Sequence, residues 1–581
     1  MCGFVCRRRR PGASDPGDFL ARATSVLAHR GPDGHDVWVG PAVEMGHRRL
    51  AIISPSDGQQ PFVDDESGCV LVYNGEIYNF KELRAELESR GHRFRTRCDT
   101  EVLLRGYLAD GPDIVKRLNG IFAFVLYDPR RDRLFGARDP LGVKPFYYHR
   151  AGDRFVMASE IKALFEDPAV PRRLRPEALF EYLIFGFVAG TDTLYEGVRQ
   201  LAPGDMFLEE GGRLVLSSYW RPREQTPLER AEGPALAALD ERLAAGVARQ
   251  MVSDVPLGVL LSGGVDSSLL SVYASRIRRD VPAFTLRHRA EGYDETAHAA
   301  KVAEVTGAPL HVIDIDSSKA LDLLPRAIWF YDEPLIQTNT LGLYLLCEKI
   351  AGHGIKVLLS GEGADEVFGG YERYRETLGA VRAGRKEAVL LGRNDVAFPR
   401  VERFWPGRPR RFPFRESLVA AGAGFEEGNQ ILIYDQSTYL PHLLQRQDRM
   451  GMAHGIEVRV PFLDVPLVEW ANGLAADLKI HPAESKFLLK KLAERFLPRS
   501  ILYRPKQAFD TPVAESLARG AFRDYFRDTL GPGAAVHGLF DRAGVEGLMA
   551  DYLAGDAPLW RILWQILCVE VWMKTFSVGL P

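Results

Sequence analysis

Apolar runs of strand length, separated by turn residues, fill most of the first 200 or so residues. Two helical stretches interrupt these runs, at about 15–29 and 79–90. The predicted strands lie at 69–79, 121–128, 133–139 and 154–160. Strands mixed with helices without strict alternation are typical of an α+β domain.

The pattern changes after a segment rich in Pro, Glu and Arg at 219–234, which we interpret as a linker. Beyond it, a predicted helix runs to about residue 252, and strands and helices then alternate, with a buried strand at 256–264 and a helix at 266–278. This alternation predicts a parallel sheet with crossover helices, and from about residue 375 the pattern is mostly helical. The sequence therefore predicts two domains, 2–218 and 235–581.

Composition limits the classes of protein to which the chain can belong. At roughly 100–200 residues per domain, 581 residues predict two or three domains. Apolar residues make up 46% and charged residues 26%, which is ordinary globular composition and argues against disorder. No apolar run approaches the roughly 18 residues that indicate a membrane span. We therefore expect a soluble protein and, by default, a cytoplasmic one.

The charge of the chain gives no reason to expect nucleic-acid binding, since the formal net charge is -3. A run of arginines at 7–10 is the exception. The residues after it lack the apolar stretch that a signal peptide needs, so we interpret the run as a solvated loop. We expect neither nucleic acid nor a membrane as a partner.

The six cysteines form no CxxC pair, so neither a disulfide framework nor a zinc site is indicated. Cys2 differs from the others because of its position. If Met1 is removed, the α-amine of Cys2, with a reference pKa of about 7.7–8.0, can accept the thiol proton. Gly3 would let this strand enter a crowded site. The cysteines that we expect to be inert are Cys6, Cys69, Cys98, Cys347 and Cys568.

Polar residues at predicted strand ends strengthen the case for Cys2. Arg49 begins an apolar strand, and Asn74 and Gly75 follow another. Together with Asp99, they could supply a carboxylate clamp, an oxyanion pocket and an anion for a substrate ammonium. The alternative is that Asn74 and Gly75 form a hairpin turn and that Asp99 caps a helix.

Two Gly-rich loops follow strands of the predicted parallel sheet. SGGVDSS at 262–268 lies between a strand and a helix, where backbone N–H groups can bind phosphate, although it lacks the ending of a Walker A loop. A carboxylate there, Asp266, would repel phosphate unless it bound a metal such as Mg²⁺. The second loop, SGEGADE at 360–366, supplies Glu362, Asp365 and Glu366. Two such loops suit Mg²⁺-ATP; the alternative is a connector with a helix-capping Asp.

Several amino-terminal motifs resemble the glutaminase domain of class II glutamine amidotransferases, which have an N-terminal-nucleophile αββα fold. The resemblance implies Cys2 as nucleophile and base, and Asn74 and Gly75 as the oxyanion hole. Ser54 is a departure, since relatives often have Asp there, and we expect little consequence. The motifs are MCG, HRGPDG, HRRLAI, YNGEIYN, DTEV, GIFAF and RDPLGVKPFYY, the last of which resembles the segment beside an interdomain ammonia passage. The glutamine-binding residues implied are Arg49, Asn74, Glu76 and Asp99.

The second half resembles ATP pyrophosphatases through SGGVDSS, and asparagine synthetases in particular. SGEGADEVFGGYERY, DRMGMAHGIEVRVPFLD and RPKQAF carry the latter resemblance, in the same order along nearly the whole chain. It implies Asp266 and Asp365 as Mg²⁺ ligands and Glu362 as the proton acceptor from attacking ammonia. Lys506 would stabilise charge during adenylation, and Lys486 is a weaker candidate for a phosphate or structural role. The ATP-binding residues implied are Leu261, Ser262, Gly263, Gly264, Asp266, Ser267, Ser360 and Gly361.

The reaction implied is amide synthesis from glutamine, ATP and a carboxylate, with aspartate as the favoured acceptor. Gln337, Thr338 and Asn339 depart from the family pattern near the expected acceptor pocket, as does TLRH at 285–288. The alternative is a pathway amide synthetase that acts on a sugar acid or a peptide intermediate. Cys2 argues against an intramolecular amide former, and the intact motifs argue against a catalytically silent protein or a bare glutaminase. A homodimer is compatible with the sequence, which does not fix the oligomeric state.

Overall fold

The computed structural model describes residues 2–9, 18–288, 294–315, 321–335, 337–385, 390–391, 397–503 and 520–581. The strands are β1 (Cys2–Arg8), β2 (Gly34–Val39), β3 (Val43–Arg49), β4 (Phe62–Val63), β5 (Val70–Ile77), β6 (Gly120–Asp128), β7 (Arg133–Arg138), β8 (Tyr147–Ala151), β9 (Arg154–Ala158), β10 (Val198–Gln200), β11 (Asp205–Glu210), β12 (Arg213–Ser218), β13 (Leu257–Leu260), β14 (Ala283–His288), β15 (Leu310–Ile315), β16 (Val357–Leu359) and β17 (Glu457–Arg459). The α-helices are α1 (Phe19–Val26), α2 (Phe80–Ser89), α3 (Asp99–Asp110), α4 (Ile161–Leu164), α5 (Pro176–Phe185), α6 (Glu232–Gln250), α7 (Val265–Ile277), α8 (Thr296–Thr306), α9 (Leu324–Tyr331), α10 (Asn339–Ala351), α11 (Ala364–Phe368), α12 (Glu372–Arg382), α13 (Ala397–Glu402), α14 (Pro413–Ala421), α15 (Glu427–Met452), α16 (Val465–Ala471), α17 (Phe487–Ala493), α18 (Arg499–Leu502), α19 (Ala521–Thr529), α20 (Arg542–Leu553) and α21 (Trp560–Phe576).

Two six-stranded antiparallel sheets stack face to face in the first half of the chain. Their strand orders are β10-β8-β9-β1-β3-β2 and β12-β11-β7-β6-β5-β4. Alternate residues of β1 serve different cores: Phe4 and Cys6 pack between the sheets, whereas Val5 packs on the outer face with α1. Helices α2 and α3 cover the outer face of the second sheet. The αββα arrangement that the resemblance implied is confirmed.

A parallel sheet of order β15-β14-β13-β16-β17 forms the second half, as the alternating pattern predicted. The pattern did not reveal β17, because this strand has only three residues and follows the long helix α15. Both Gly-rich loops leave the carboxyl ends of neighbouring strands, β13 and β16. Ligands of such sheets bind at this edge.

The carboxyl-terminal part is largely helical, and its last helix is anchored in both halves of the chain. The indole Nε1 of Trp572, in α21, donates to the hydroxyl of Tyr195 at 2.7 Å and to the carbonyl of Asp332 at 3.0 Å. Gln565 of the same helix donates to the carbonyl of Tyr182 at 2.8 Å. None of the helices in the described ranges has the length and apolar composition needed to cross a bilayer.

The interpretation of residues 7–10 as a solvated loop is wrong for its first two arginines, which lie at the end of β1. Arg7 is buried, pairs with Glu44 and Asp167, and covers the ring of Phe19 at 4.0 Å. The pairing of β1 with β3 sets Arg7 opposite Glu44. Because acidic side chains pair with Arg7, β1 continues beyond its apolar residues. Arg10 lies outside the described residues.

A buried network of ion pairs, which we call the interface network, joins the two halves. Arg30 of the first half contacts Asp448 of the second at 2.9 Å. Arg449 contacts Glu160 of the first half at 2.7 Å and Asp332 at 3.0 Å. The remaining contacts join Arg30 to Glu160, Lys162 to Glu160 and Asp332, Lys144 to Asp448, and His29 to Glu160.

Each charge of the interface network depends on its partners, because an unpaired ion in the interior is strongly disfavoured. Although burial opposes ionisation, the neighbouring His29, Lys162 and Arg449 hold the pKa of Glu160 well below its ordinary value. Burial likewise opposes the charge on Arg449, but Glu160 and Asp332 raise its pKa well above the ordinary value. Glu160 and Arg449 therefore stay ionised and couple the two halves.

We expect Arg449→Leu to lower the free energy of unfolding by about 3–5 kcal/mol, because it removes one cation from two carboxylates, Glu160 and Asp332, that stay buried. The matched control is Arg382→Leu, which removes a pair with Glu427 that is about half exposed on both sides. That change should cost at most about 1 kcal/mol. Urea denaturation of both variants measures the difference, and equal midpoints would contradict the importance of the network.

Candidate active sites

Cys2 is fixed at the start of β1 by contacts to both of its backbone polar groups. Its N–H donates to Oδ1 of Asn74 at 2.9 Å, and its carbonyl accepts from Nε of Arg30 at 2.9 Å. Burial raises the pKa of the Cys2 thiol, whereas a backbone hydrogen bond at Leu50 and the charge of Arg49 oppose the rise. A thiol in these surroundings needs an adjacent base to act as a nucleophile.

Asn74 and Gly75 lie in the middle of β5, so the hairpin-turn alternative is wrong. Gly75 stands opposite Phe122 of β6. A Cβ at Gly75 would lie 2.1 Å from the carbonyl oxygen of Ile121, so this close approach of strands requires glycine. The Nδ2 group of Asn74 is buried and has no hydrogen-bond partner among the described residues. A buried donor without an acceptor is suited to donating a hydrogen bond to an anionic oxygen of a ligand.

Asp99 and Glu76 place two buried carboxylates beside the same strand. Asp99 accepts hydrogen bonds from the hydroxyl of Tyr73 at 2.8 Å and from the N–H of Ile77 at 3.0 Å. These bonds reach β5 rather than the helix that Asp99 begins, so the helix-cap alternative is wrong. Burial and the charge of Asp99 raise the pKa of Glu76 well above its ordinary value, although Arg459 opposes the shift. A substrate ammonium would relieve this repulsion.

Arg49 is held by the loop that follows β3. Its guanidinium donates to the carbonyls of Pro55 at 2.7 Å and Ser54 at 2.8 Å. Ser54 adopts a left-handed φ of 47°, and its N–H donates to Asp254 of the second half at 2.8 Å. The sequence departure at Ser54 therefore lies at a contact between the halves. The residues implied for the glutamine site lie at the start of β1, at the end of β3, and in or beside β5: they are Cys2, Arg49, Asn74, Gly75, Glu76 and Asp99.

The second site is a cavity of about 1750 Å³ at the carboxyl ends of β13 and β16. Gly263 has a φ of 70°, and a Cβ there would lie 2.6 Å from Cβ of His298. A Cβ at Gly361 would lie 2.9 Å from Cβ of Asp266, so the two Gly-rich loops touch. The predicted residues that line the cavity are Leu261, Ser262, Gly264, Asp266, Ser267, Ser360, Gly361, Glu362 and Asp365.

Lys486 joins the two carboxylates for which a metal was predicted. Its ammonium contacts Asp266 and lies 2.8 Å from Asp365. Burial opposes the charge on Lys486, but the two carboxylates raise its pKa. Within the described ranges, no cluster of three or more metal-binding side chains occurs. One or two carboxylates would hold a Mg²⁺ ion here, and phosphate oxygens and water would complete its coordination shell. The carboxylates of Asp266 and Asp365 fit this requirement.

Glu362 is bound by two residues of α15. It accepts from Nη2 of Arg446 at 2.9 Å and from the amide of Gln447 at 2.7 Å. Arg446 in turn contacts Gln337 and donates to Asn339 at 3.0 Å. The departures at 337–339 therefore adjoin the predicted proton acceptor. Sequence reasoning missed Arg446 and Gln447, which directly precede the DRMGM motif but belong to no motif themselves. Lys506 lies outside the described residues.

The chain was compared with known protein families and relatives. Residues 238–574 match the family profile described as asparagine synthase, and residues 1–220 match the glutamine amidotransferase domain. The chain belongs to the asparagine synthase family. Members of this family use ATP as a co-substrate.

Curated relatives cover nearly the whole chain. Asparagine synthetase [glutamine-hydrolyzing] 1 of Bacillus subtilis is 29% identical and aligns over 98% of this chain and 96% of its own. Asparagine synthetase [glutamine-hydrolyzing] 3 of the same organism is 31% identical over 97% and 96%. Amidase chry2 of Gibberella zeae is 28% identical over 88% and 89%. The family thus includes relatives with different names, and family membership does not fix the acceptor.

A solved structure of glutamine phosphoribosylpyrophosphate amidotransferase from B. subtilis, complexed with ADP and GMP, also resembles the chain. It is 15% identical, with a TM-score of 0.28, and covers 62% of this chain and 82% of its own. A likeness at this level carries no argument about substrates.

We expect Gly75→Ala to lower glutamine hydrolysis by about 100-fold, since separating β5 from β6 displaces Asn74 from the reacting atoms. Glutamate release measures this. Gly34→Ala is the matched control, because a Cβ there makes only ordinary contacts at 3.8 and 3.9 Å. Undiminished hydrolysis by Gly75→Ala would contradict the close approach at this glycine.

Proposed function

We propose that the protein transfers the amide nitrogen of glutamine to a carboxylate that ATP activates as an acyl-adenylate. The favoured reaction converts aspartate, glutamine and ATP to asparagine, glutamate, AMP and pyrophosphate. The contact of one residue with both sites supports this proposal. In the proposed glutamine site, Nη2 of Arg459 lies 3.7 Å from Glu76. In the second Gly-rich loop, the N–H of Ser360 donates to the backbone carbonyl of Arg459 at 2.8 Å.

The first half-reaction frees ammonia. After removal of Met1, the α-amine of Cys2 accepts the thiol proton, and the thiolate attacks the side-chain amide of glutamine. The Nδ2 group of Asn74 and the amide of Gly75 stabilise the oxyanion. Arg49 binds the substrate carboxylate, while Glu76 and Asp99 bind its ammonium. Ammonia leaves, and water hydrolyses the remaining thioester to glutamate.

The second half-reaction activates the acceptor. The acceptor carboxylate attacks the α-phosphate of ATP, pyrophosphate leaves, and the AMP of the adenylate becomes the leaving group for ammonia. Asp266 and Asp365 would hold Mg²⁺, which neutralises phosphate charge. Lys486 holds these two carboxylates together, and the roles of the SGGVDSS loop and of Lys506 remain predictions. Glu362 accepts a proton from the attacking ammonia.

Ammonia must pass between the sites unprotonated, because ammonium is not a nucleophile. An enclosed passage beside residues 138–145 satisfies this requirement and explains the proposed division into domains 2–218 and 235–581. Arg138, Asp139 and Lys144 of this segment are all buried. The cytoplasmic location and a homodimer remain predictions of the same kind.

A second candidate keeps the mechanism but changes the acceptor to a sugar acid or a peptide intermediate. This candidate is favoured by the position of Gln337 and Asn339, which depart from the family pattern and contact Arg446 next to Glu362. Supplying glutamine, Mg²⁺-ATP and single acids, with glutamate, pyrophosphate and amide measured together, separates the two. Aspartate is excluded as acceptor if it elicits no pyrophosphate while another acid does.

For Cys2→Ala, we expect glutamine-driven amide synthesis to disappear while synthesis from added ammonia survives, because only the first half-reaction uses the thiol. Amide formation with each nitrogen source measures this. Cys6→Ala, which alters a buried thiol of the same strand, is the control and should keep both activities. Loss of both activities in Cys2→Ala alone would contradict separate half-reactions.

For Glu362→Gln, we expect amide synthesis to fall by about 100-fold or more, the usual contribution of a positioned proton acceptor, while glutamine hydrolysis continues at least in part. The same assays measure both activities. Glu372→Gln, a carboxylate of the same cavity that pairs with Arg375, provides the control. Equal losses in the two variants would exclude a special role for Glu362.

A further inference from the structure

The cavity that contains Glu362 extends into a region lined by arginines and aromatic rings. We call this region the arginine chamber and define it by Arg373, Arg415, Tyr439 and Phe187, all of which line the cavity. None of these residues belongs to the Gly-rich loops. The chamber therefore lies outside the loops that are predicted to bind the nucleotide phosphates.

Arg415 is the most buried cation of the chamber. Its Nε donates to Glu181 at 2.7 Å, and its Nη1 donates to the hydroxyl of Tyr434 at 3.2 Å. The guanidinium lies 3.8 Å from the centre of the Phe185 ring and 4.8 Å from that of Phe187. Its Nη2 group has no hydrogen-bond partner among the described residues. Leaving a charged donor unsatisfied is costly, so a ligand that accepts this bond gains affinity.

Arg373 repeats this situation on the other side of the chamber. Its Nη2 donates to Asp435 at 2.8 Å, and its guanidinium lies 4.4 Å from the ring centre of Tyr371 and 4.8 Å from that of Tyr439. In the described part of the chain, its Nε group finds no acceptor. The two arginines thus offer charged donors above aromatic surfaces, an arrangement that suits carboxylate or phosphate.

The chamber is continuous with the proposed reaction centre. The Tyr439 hydroxyl accepts from Gln337 at 2.7 Å, and Gln337 contacts the arginine that binds Glu362. The ring centre of Phe187 lies 5.5 Å from that of Tyr439, and Arg415 covers Phe187. An extended molecule could therefore reach from Glu362 across the two rings to Arg415.

The overall charge of the cavity favours an anion. Among the described lining residues, eight side chains are Lys or Arg and six are Asp or Glu. Three of those carboxylates, Asp266, Glu362 and Asp365, belong to the Gly-rich loops. The part of the cavity away from these loops is therefore the more cationic part.

We propose, on the basis of the second candidate under the proposed function, in which the acceptor is not aspartate, that the acceptor is an extended dianionic acid. Its reacting carboxyl group lies at Glu362, an apolar or aromatic section lies against Tyr439 and Phe187, and a second carboxylate or phosphate is bound by Arg373 and Arg415. This assigns an acceptor subsite beyond the reaction centre. A lone amino acid such as aspartate is too short to use it.

Calorimetric titration tests this subsite with the intact enzyme, Mg²⁺ and a non-hydrolysable ATP analogue. The ligands are succinate, adipate, suberate and dodecanedioate, the matched monoacids hexanoate, octanoate and dodecanoate, and L-aspartate. We expect one of the longer diacids to bind about tenfold or more tightly than its monoacid and than aspartate, the increment typical of a hydrogen bond to a charged group. If no longer diacid exceeds its monoacid, or if aspartate binds most tightly, the proposal is overturned.

Arg415→Gln should abolish the preference for the diacid over the monoacid, and Arg373→Gln should reduce it. Glu181→Gln combined with Arg415→Gln removes both members of the buried pair and replaces the single variant if that one does not fold. Arg411→Gln is the control, because Arg411 is exposed, pairs with Glu416 and does not line the cavity. A diacid preference that survives in the Arg415 variants overturns the proposal.

A raised KM for ATP in Arg415→Gln, with diacid binding unchanged, would assign the chamber to the nucleotide and also overturn the proposal. Glutamine hydrolysis and ATP–pyrophosphate exchange, measured in parallel, report on the proposed function itself. If both activities are absent while arginine-dependent diacid binding persists, the proposed function fails and the subsite stands. If both are present without diacid binding, the subsite fails alone.

Discussion

The interface network of buried ion pairs is the constraint on which both sites depend. Arg30 illustrates this, because one guanidinium contacts Asp448 of the second half and donates to the carbonyl of Cys2. Buried ion pairs add little net stability, but breaking one is costly. The relative position of the two halves is therefore set by charge complementarity rather than by apolar packing alone. The position of Cys2, the proposed nucleophile, therefore depends on the same ion pairs.

One turn of α15 connects the two sites. Arg446 and Gln447 bind Glu362 of the synthetase site, whereas Asp448 and Arg449 bind the glutaminase half through the interface network. A shift of this turn would move both sets of contacts at once. This arrangement supplies a physical route for coupling, since a rigid helix carries displacement from one face to the other.

Periodicity and motifs predicted the layered first half and the parallel sheet, because strand spacing and Gly-rich turns are local features of the chain. The residues proposed for glutamine binding and the two Gly-rich loops were also named from motifs, and the structure brings the members of each set together. Periodicity and motifs failed where position depends on distant partners. Arg7 was expected in solvent because its acidic partners are far away in sequence. The three-residue strand β17 carries too little pattern to recognise, yet its Arg459 touches both sites.

The contact of Lys486 with Asp266 and Asp365 shows the same limit, since the residues that meet come from three separate stretches of the chain. Such a meeting leaves no spacing rule in the sequence. Lys486 was therefore only a weak candidate, although its ammonium joins the two predicted metal ligands. Arg446 and the arginine chamber were not predicted at all, because their residues come from separate elements of the chain and belong to no recognisable binding motif.

The interface network also limits how this enzyme can have evolved. Recombination that replaced its first half with one from another enzyme would leave Asp448 and Arg449 facing foreign surfaces, with their charges buried and unmatched. A donor that lacked equivalents of Arg30 and Glu160 would destabilise the hybrid, because buried charges would lose their partners. A substitution at a paired charge in one half thus restricts the substitutions that the other half can accept.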